Sequence, residues 1–253
     1  MKCIIAILNQ KGGVGKTTTA INLCAYLARS KKNVLLIDLD PQGNATSGLG
    51  LDKENAGVGS YELLINKVDL TDTIHESSIN NLFIIPANAN LAAAEVELVS
   101  QNNRELILKE QVSSLDFDYA IIDCPPSLGL LSINALSAAD YVLIPVQAEY
   151  YALEGLGQLL NVMQRVRSGL NPSLTLLGVV LTMYNSRTSL SEQVRTEVQK
   201  HFGTKVFDTL IPRNIRLAEA PSYGHSIFEH DKWSKGARAY KQFGKEVEKR
   251  VNK

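Results

Sequence analysis

An apolar run from Cys3 to Leu8 passes directly into the string Gln10-Lys11-Gly12-Gly13-Val14-Gly15-Lys16-Thr17. The string leads into a stretch ending at Leu27 in which Ala20, Leu23, Cys24 and Leu27 recur at helical spacing. A continuous apolar run predicts a parallel strand buried on both faces. A strand, a glycine-rich loop and a helix in that order aim free backbone N–H groups and the positive end of a helix dipole at one point, which is an anion site. Gly15, Lys16 and Thr17 match the end of G-x-x-x-x-G-K-[ST], where loop amides, lysine and hydroxyl serve phosphate and Mg²⁺. Gln10 stands where that pattern has its first glycine, and Lys11 adds a lysine beyond the one that a single triphosphate needs. Read alone, Lys11 is either a solvated loop lysine or a group with a second task.

Two further apolar runs end in carboxylates. Val34-Leu-Leu-Ile-Asp38-Leu-Asp40 places Asp38 and Asp40 on one face at the carboxyl end of a strand, because side chains alternate with period two. Open α/β sheets bind ligands beyond that edge, so both acids are candidates for metal-bound or attacking water. For Asp38 the alternative is a cap on the following turn. Tyr119-Ala-Ile-Ile-Asp123-Cys-Pro-Pro-Ser127 ends in one aspartate followed by two stiffening prolines, the arrangement of a Walker B strand. The alternative for Asp123 is a cap on the helix expected from Leu128 to Ala139.

In letters, KGGVGKTT resembles the deviant Walker A motif of the ParA/MinD ATPases. The resemblance covers nearly the whole chain, and the stretches Asp40 to Gly50, Ile121 to Leu131, Pro145 to Gly155 and Ile211 to Pro221 are similar to those of the chromosomal ParA (Soj) subgroup. It implies a P-loop NTPase fold, ATP and Mg²⁺ as ligands, and an ATP-dependent sandwich homodimer. Lys11 would then reach the partner's nucleotide. Lys11, Gly12, Gly13, Val14, Gly15, Lys16, Thr17 and Thr18 would hold the phosphates. Thr17, Asp38 and Asp123 would serve the metal, while Asp40, Lys16 and Lys11 would serve catalysis. Pro212 and Asn214 would contact the base; an asparagine amide offers a purine edge both donor and acceptor. Met183 is either a base contact or a core methionine.

The resemblance further implies partition of chromosomes or plasmids, non-specific binding of double-stranded DNA, and a ParB-type centromere-binding protein as stimulator. The arginines matching Arg187 and Arg216 are implicated in DNA binding. Net charge is zero, yet from Arg213 to Lys253 ten Lys and Arg stand against five Asp and Glu. A local basic face of this kind can bind nucleic acid. Lys232, Lys235, Arg238, Lys241 and Lys245 are read as helical cations. Arg238, Lys241 and Lys245 share one helix face; the alternative is a solvated face whose dipole prefers cations near its end.

Strands expected near 3–8, 34–40, 82–86, 119–123, 141–146, 175–183 and 206–211, alternating with helices, predict a single doubly wound, mostly parallel α/β sheet as one domain over 1–253. With the first strand starting at Cys3, neither an N-terminal helix-turn-helix domain nor a signal peptide is expected, so the protein should be cytoplasmic and nucleoid-associated. The stretches 52–81 and 103–117 carry no recognisable chemistry.

Competing readings lack their signatures. A membrane-binding tail of MinD type needs bulky apolar residues, and Lys245 to Lys253 has only two valines. A cluster-bridged dimer like that of a nitrogenase iron protein needs two cysteine ligands per chain, and Cys124 has no evident companion in Cys3 or Cys24. An ATP-dependent ligase such as dethiobiotin synthetase would tolerate loss of Lys11. The three cysteines fit free buried thiols, and the scattered histidines have no metal-ligand spacing.

Overall fold

The structure, a computed structural model, describes residues 3–65, 68–150 and 152–252; Tyr151 of the Pro145 to Gly155 stretch and Lys253 of the tail lie outside the described residues. Seven strands make one sheet: β1 (Cys3–Ile7), β2 (Val34–Asp38), β3 (His75–Glu76), β4 (Leu82–Ile85), β5 (Tyr119–Asp123), β6 (Tyr141–Gln147) and β7 (Thr175–Thr182). Their order is β3-β4-β2-β5-β1-β6-β7, parallel throughout except for β3 against β4. The helices are α1 (Lys16–Arg29), α2 (Asn44–Gly48), α3 (Ser60–Ile65), α4 (Leu91–Glu97), α5 (Ile107–Val112), α6 (Leu130–Ala138), α7 (Leu156–Gly169), α8 (Ser189–Phe202), α9 (Ile215–Glu219), α10 (Ile227–His230) and α11 (Lys235–Val251).

The sheet is covered on both faces, which is why its strands read as unbroken apolar runs. Ile4, Ala6 and Leu8 of the first strand and its exit face a core with Leu35, Ile37, Ala120 and Ile122, roofed by residues of α3 to α8. Cys3, Ile5 and Ile7 face the opposite core with Leu36, Ile121 and Leu143, roofed by α1, α10 and α11. Register aligns Ile7 and Asp38 with Asp123, so the two acids stand side by side at the carboxyl edge.

The fold is the doubly wound α/β sheet expected, with three local differences, the first being β3, a two-residue antiparallel edge strand that falls in none of the expected runs. β2 stops at Asp38 because that carboxylate accepts from the Asp40 amide (3.1 Å) and turns the chain. Residues 206–211, expected as a strand, run beside β7 through isolated bridges, Val179 with Val206 and Tyr184 with Pro212. The amides of Phe207 and Ile211 still donate to Val179 O and Leu181 O of β7 (both 2.9 Å), but between them those of Asp208 and Thr209 donate to the Glu246 carboxylate of α11 (2.9 and 3.1 Å), which interrupts the ladder.

Candidate nucleotide-binding site

The glycine-rich loop is held from three sides. Buried Asn9 donates through Nδ2 to the Pro145 carbonyl (2.7 Å), and its Oδ1 accepts from the Lys11 amide (3.0 Å). Thr182, at the end of β7, donates to the Val14 carbonyl (2.7 Å). Gly13 and Gly15 take left-handed backbone conformations (φ 72° and 88°), which a side chain would strain. Gly15 precedes α1 and no side chain caps the helix, so its first amides open toward the loop's interior.

Lys16 is 7% exposed, and its ammonium approaches the Lys11 carbonyl at 3.4 Å. Burial lowers its pKa; Asp123 and Asp40 act in the opposite sense. Asp123 is fully buried, and neither carboxylate oxygen has a hydrogen-bond partner of satisfactory geometry. Burial, then the charge of Asp38, push its carboxyl well above the usual range, while Thr17 and Lys16 pull it down. A buried carboxylate left open between a lysine and a threonine is of the chemical kind that suits a cation with its water shell, such as Mg²⁺.

Asp38 is differently placed. Its Oδ2 accepts from the Thr46 amide (2.9 Å) and hydroxyl (2.7 Å), and its Oδ1 from the Asp40 amide. These are the bonds of the turn-capping alternative. Burial raises its pKa to about 6 in spite of them. Asp40 is nearly buried; Oδ1 accepts from Gln42 N (3.0 Å), leaving Oδ2 open. Lys11 is part-exposed beside the loop, and its ammonium has no intramolecular partner among the described residues.

Next to Gly15 and Thr18 lies a cavity of about 290 Å³ whose walls include Met183, Pro212 and Asn214. Met183 holds φ 49°, an uncommon state for a bulky side chain, fixed by the Tyr184 amide on Ile211 O (3.0 Å). Asn214 Oδ1 caps α9 through Leu217 N (3.3 Å), so its amide NH₂ is what remains for a ligand. Leu217, Ala218 and Tyr240 complete the wall. Sequence reading missed Thr182 and Tyr240, because Thr182 reaches the loop and Tyr240 the cavity wall from distant elements and no local pattern announces either.

The cations expected at a nucleic-acid face are exposed. Arg187 sits on a loop turned by its own amide donating to Asn185 Oδ1 (3.1 Å). Lys235, Arg238, Lys241, Lys245 and Lys249 occupy about a third of the circumference of α11, opposite Gly236, Tyr240, Phe243, Gly244 and Val247. Lys232, expected on that helix, lies in the turn before it. Arg216 is paired with Glu219 (2.9 Å) and, more loosely, Asp231 (3.8 Å). Among the described residues no helix is long and apolar enough to cross a membrane, and the three cysteines are buried and free.

Comparison with known proteins gives the chain clear kin. A family model described as an AAA domain matches residues 2–176. The chain is 55% identical to the sporulation initiation inhibitor protein Soj of Bacillus subtilis, over 96% of this chain and 97% of that one. It is 51% identical to the chromosome partitioning protein ParA of Myxococcus xanthus, over 98% and 88%. Among solved structures, a cobyrinic acid a,c-diamide synthase of Mycobacterium smegmatis with bound ADP and magnesium superposes with a TM-score of 0.88 at 38% identity, over 100% and 96%.

Proposed function

We propose, on the premise that this chain belongs to the ParA/Soj family of chromosome-partitioning ATPases, that it is a nucleotide-driven switch that binds DNA as a dimer. In this reading ATP lies with its phosphates in the loop of Gly12 to Thr18 and its base in the cavity of Met183, Pro212 and Asn214. The carrying observation is Lys11: its backbone is pinned by Asn9 while its ammonium stays unpartnered beside an anion site that Lys16 already serves. A partner's nucleotide gives that ammonium its task, neutralising charge on the leaving phosphate as an arginine finger does.

Thr17 and Asp123 would hold Mg²⁺, which neutralises charge on the β- and γ-phosphates when bound. Asp38 stands behind them and fixes the turn that presents Asp40. Asp40, with Oδ2 open, orients the water that attacks the γ-phosphorus; the bond to the bridging oxygen breaks, and ADP and phosphate leave. Dimerisation doubles the cation face of Arg187, Arg216, Lys232, Lys235, Arg238 and Lys241, so ATP raises affinity for DNA by bivalency. A ParB-type centromere-binding protein would stimulate hydrolysis and reset the switch.

The test is the Asp40→Ala protein on random-sequence duplex with ATP and with ADP, across a salt series. Salt-sensitive binding with ATP alone is the expected result. Absence of binding in both nucleotides would sink the DNA reading and return the membrane and metabolic alternatives.

A further inference from the structure

Three large apolar side chains stand in water close together in the chain: Ile215 (71% exposed), Tyr223 (65%) and Trp233 (79%). A single exposed apolar residue means little, whereas a cluster marks a contact surface. Side-chain contacts join these segments. Arg216 pairs with Glu219 and Asp231, His230 lies 3.6 Å from the Glu219 carboxylate, and Tyr223 stacks on His230 at 5.1 Å.

The backbone that carries Trp233 is fixed by hydrogen bonds. Its amide donates to Asp231 Oδ1 (3.1 Å), and Ser234 donates to the Asp231 carbonyl through its amide (3.2 Å) and hydroxyl (2.8 Å). The same hydroxyl caps α11 at the Ala237 amide (3.0 Å). A fixed backbone at the docking residue lowers the entropy that docking costs.

The charges around it choose the partner. Glu219 and Asp231 are turned to Arg216, and Glu229 turns back to cap α10 at Ser226. Lys232, 5.4 Å above the tryptophan ring, and neighbouring Lys235 and Arg238 have no ion pair among the described residues. An exposed aromatic ring with one cation over it and two more unpaired cations in the helix turn that follows fits a nucleic acid, whose phosphates meet the cations while its sugars and bases meet the ring. Resting on the DNA reading above, we propose that Trp233 is itself a DNA-contact residue, adding an apolar component to an interface otherwise held by charge.

Trp233 is the one tryptophan of the chain, so its emission reports this surface alone. ATP-loaded protein is titrated with a random-sequence duplex while tryptophan emission and the anisotropy of a labelled duplex are followed separately. The expected result is quenching that saturates with the anisotropy curve. Trp233→Ala should weaken binding about tenfold at every salt concentration with the salt slope unchanged, and Trp233→Phe should restore most of it. Binding seen by anisotropy with unaltered emission and full affinity of Trp233→Ala overturns the proposal while leaving the DNA reading intact. No binding in either channel overturns the DNA reading and this proposal with it. A blue shift on phosphatidylglycerol vesicles, with no response to duplex, assigns the surface to lipid instead.

Discussion

Asp123 shows how much stability a residue at such a site forgoes. Its carboxylate is buried without a hydrogen-bond partner beside Asp38, and both acids titrate above their ordinary values because burial disfavours charge. An acid raised in the folded state contributes stability below its unfolded pKa and loses that stability as pH climbs to the folded value. For Asp38 this window runs from near 4 to about 6, and Asp123 is shifted in the same direction. The ligand-free protein should therefore lose melting temperature between pH 4 and pH 6, with calorimetry as the check. Asp123→Asn should shrink that loss and raise the melting temperature at pH 7.5 by roughly 5 °C. It should also weaken Mg²⁺-dependent nucleotide binding at least tenfold, measured by titration calorimetry. A melting temperature that falls on this substitution would show that the open carboxylate is not a burden to the fold.

At the scale of elements, the decisive contact is α11 on α1, the helix that carries the phosphate loop. Gly244 lies so close to the Tyr26 ring that a Cβ would overlap it, the Tyr26 hydroxyl donates to Glu248 (3.0 Å), and Tyr240 shares a hydrogen bond with Thr19 (3.1 Å). Tyr240 also walls the cavity, so the inner face of α11 touches the nucleotide site while its outer face carries the cations. Gly244→Ala should cost about 2 kcal/mol in urea unfolding, even though alanine is the better helix former, because overpacking outweighs propensity. A neutral or stabilising result would mean that the two helices separate without cost. The amphipathic spacing of α11 was legible in its sequence. Its docking on α1 was not, since the residues that meet are more than two hundred positions apart.

Across the whole molecule, Arg187 comes from the loop after β7 and the other cations from α9, the turn before α11, and α11 itself. The loop of Arg187 is joined to the 211–213 segment through Tyr184, whose amide bonds Ile211 O and whose carbonyl accepts from Arg213 N (3.1 Å). Charge gathered from separate elements should act additively on phosphate: Arg187→Ala is expected to reduce the slope of log affinity against log salt by about one and to leave nucleotide binding unchanged. An unaltered slope would remove Arg187 from the interface. The sequence by itself determined the sheet class, the phosphate loop and the order of the acids, because strand periodicity, glycine backbone freedom and the Gly-Lys-Thr spacing are local properties written in adjacent residues. Only the tertiary structure decided that Asp38 is spent on Thr46, that Asp208 and Thr209 yield their amides to Glu246, and that Thr182 and Tyr240 enclose the site. Each of those depends on which distant donor or ring reaches a group first, a competition that is settled when both faces of the sheet are covered.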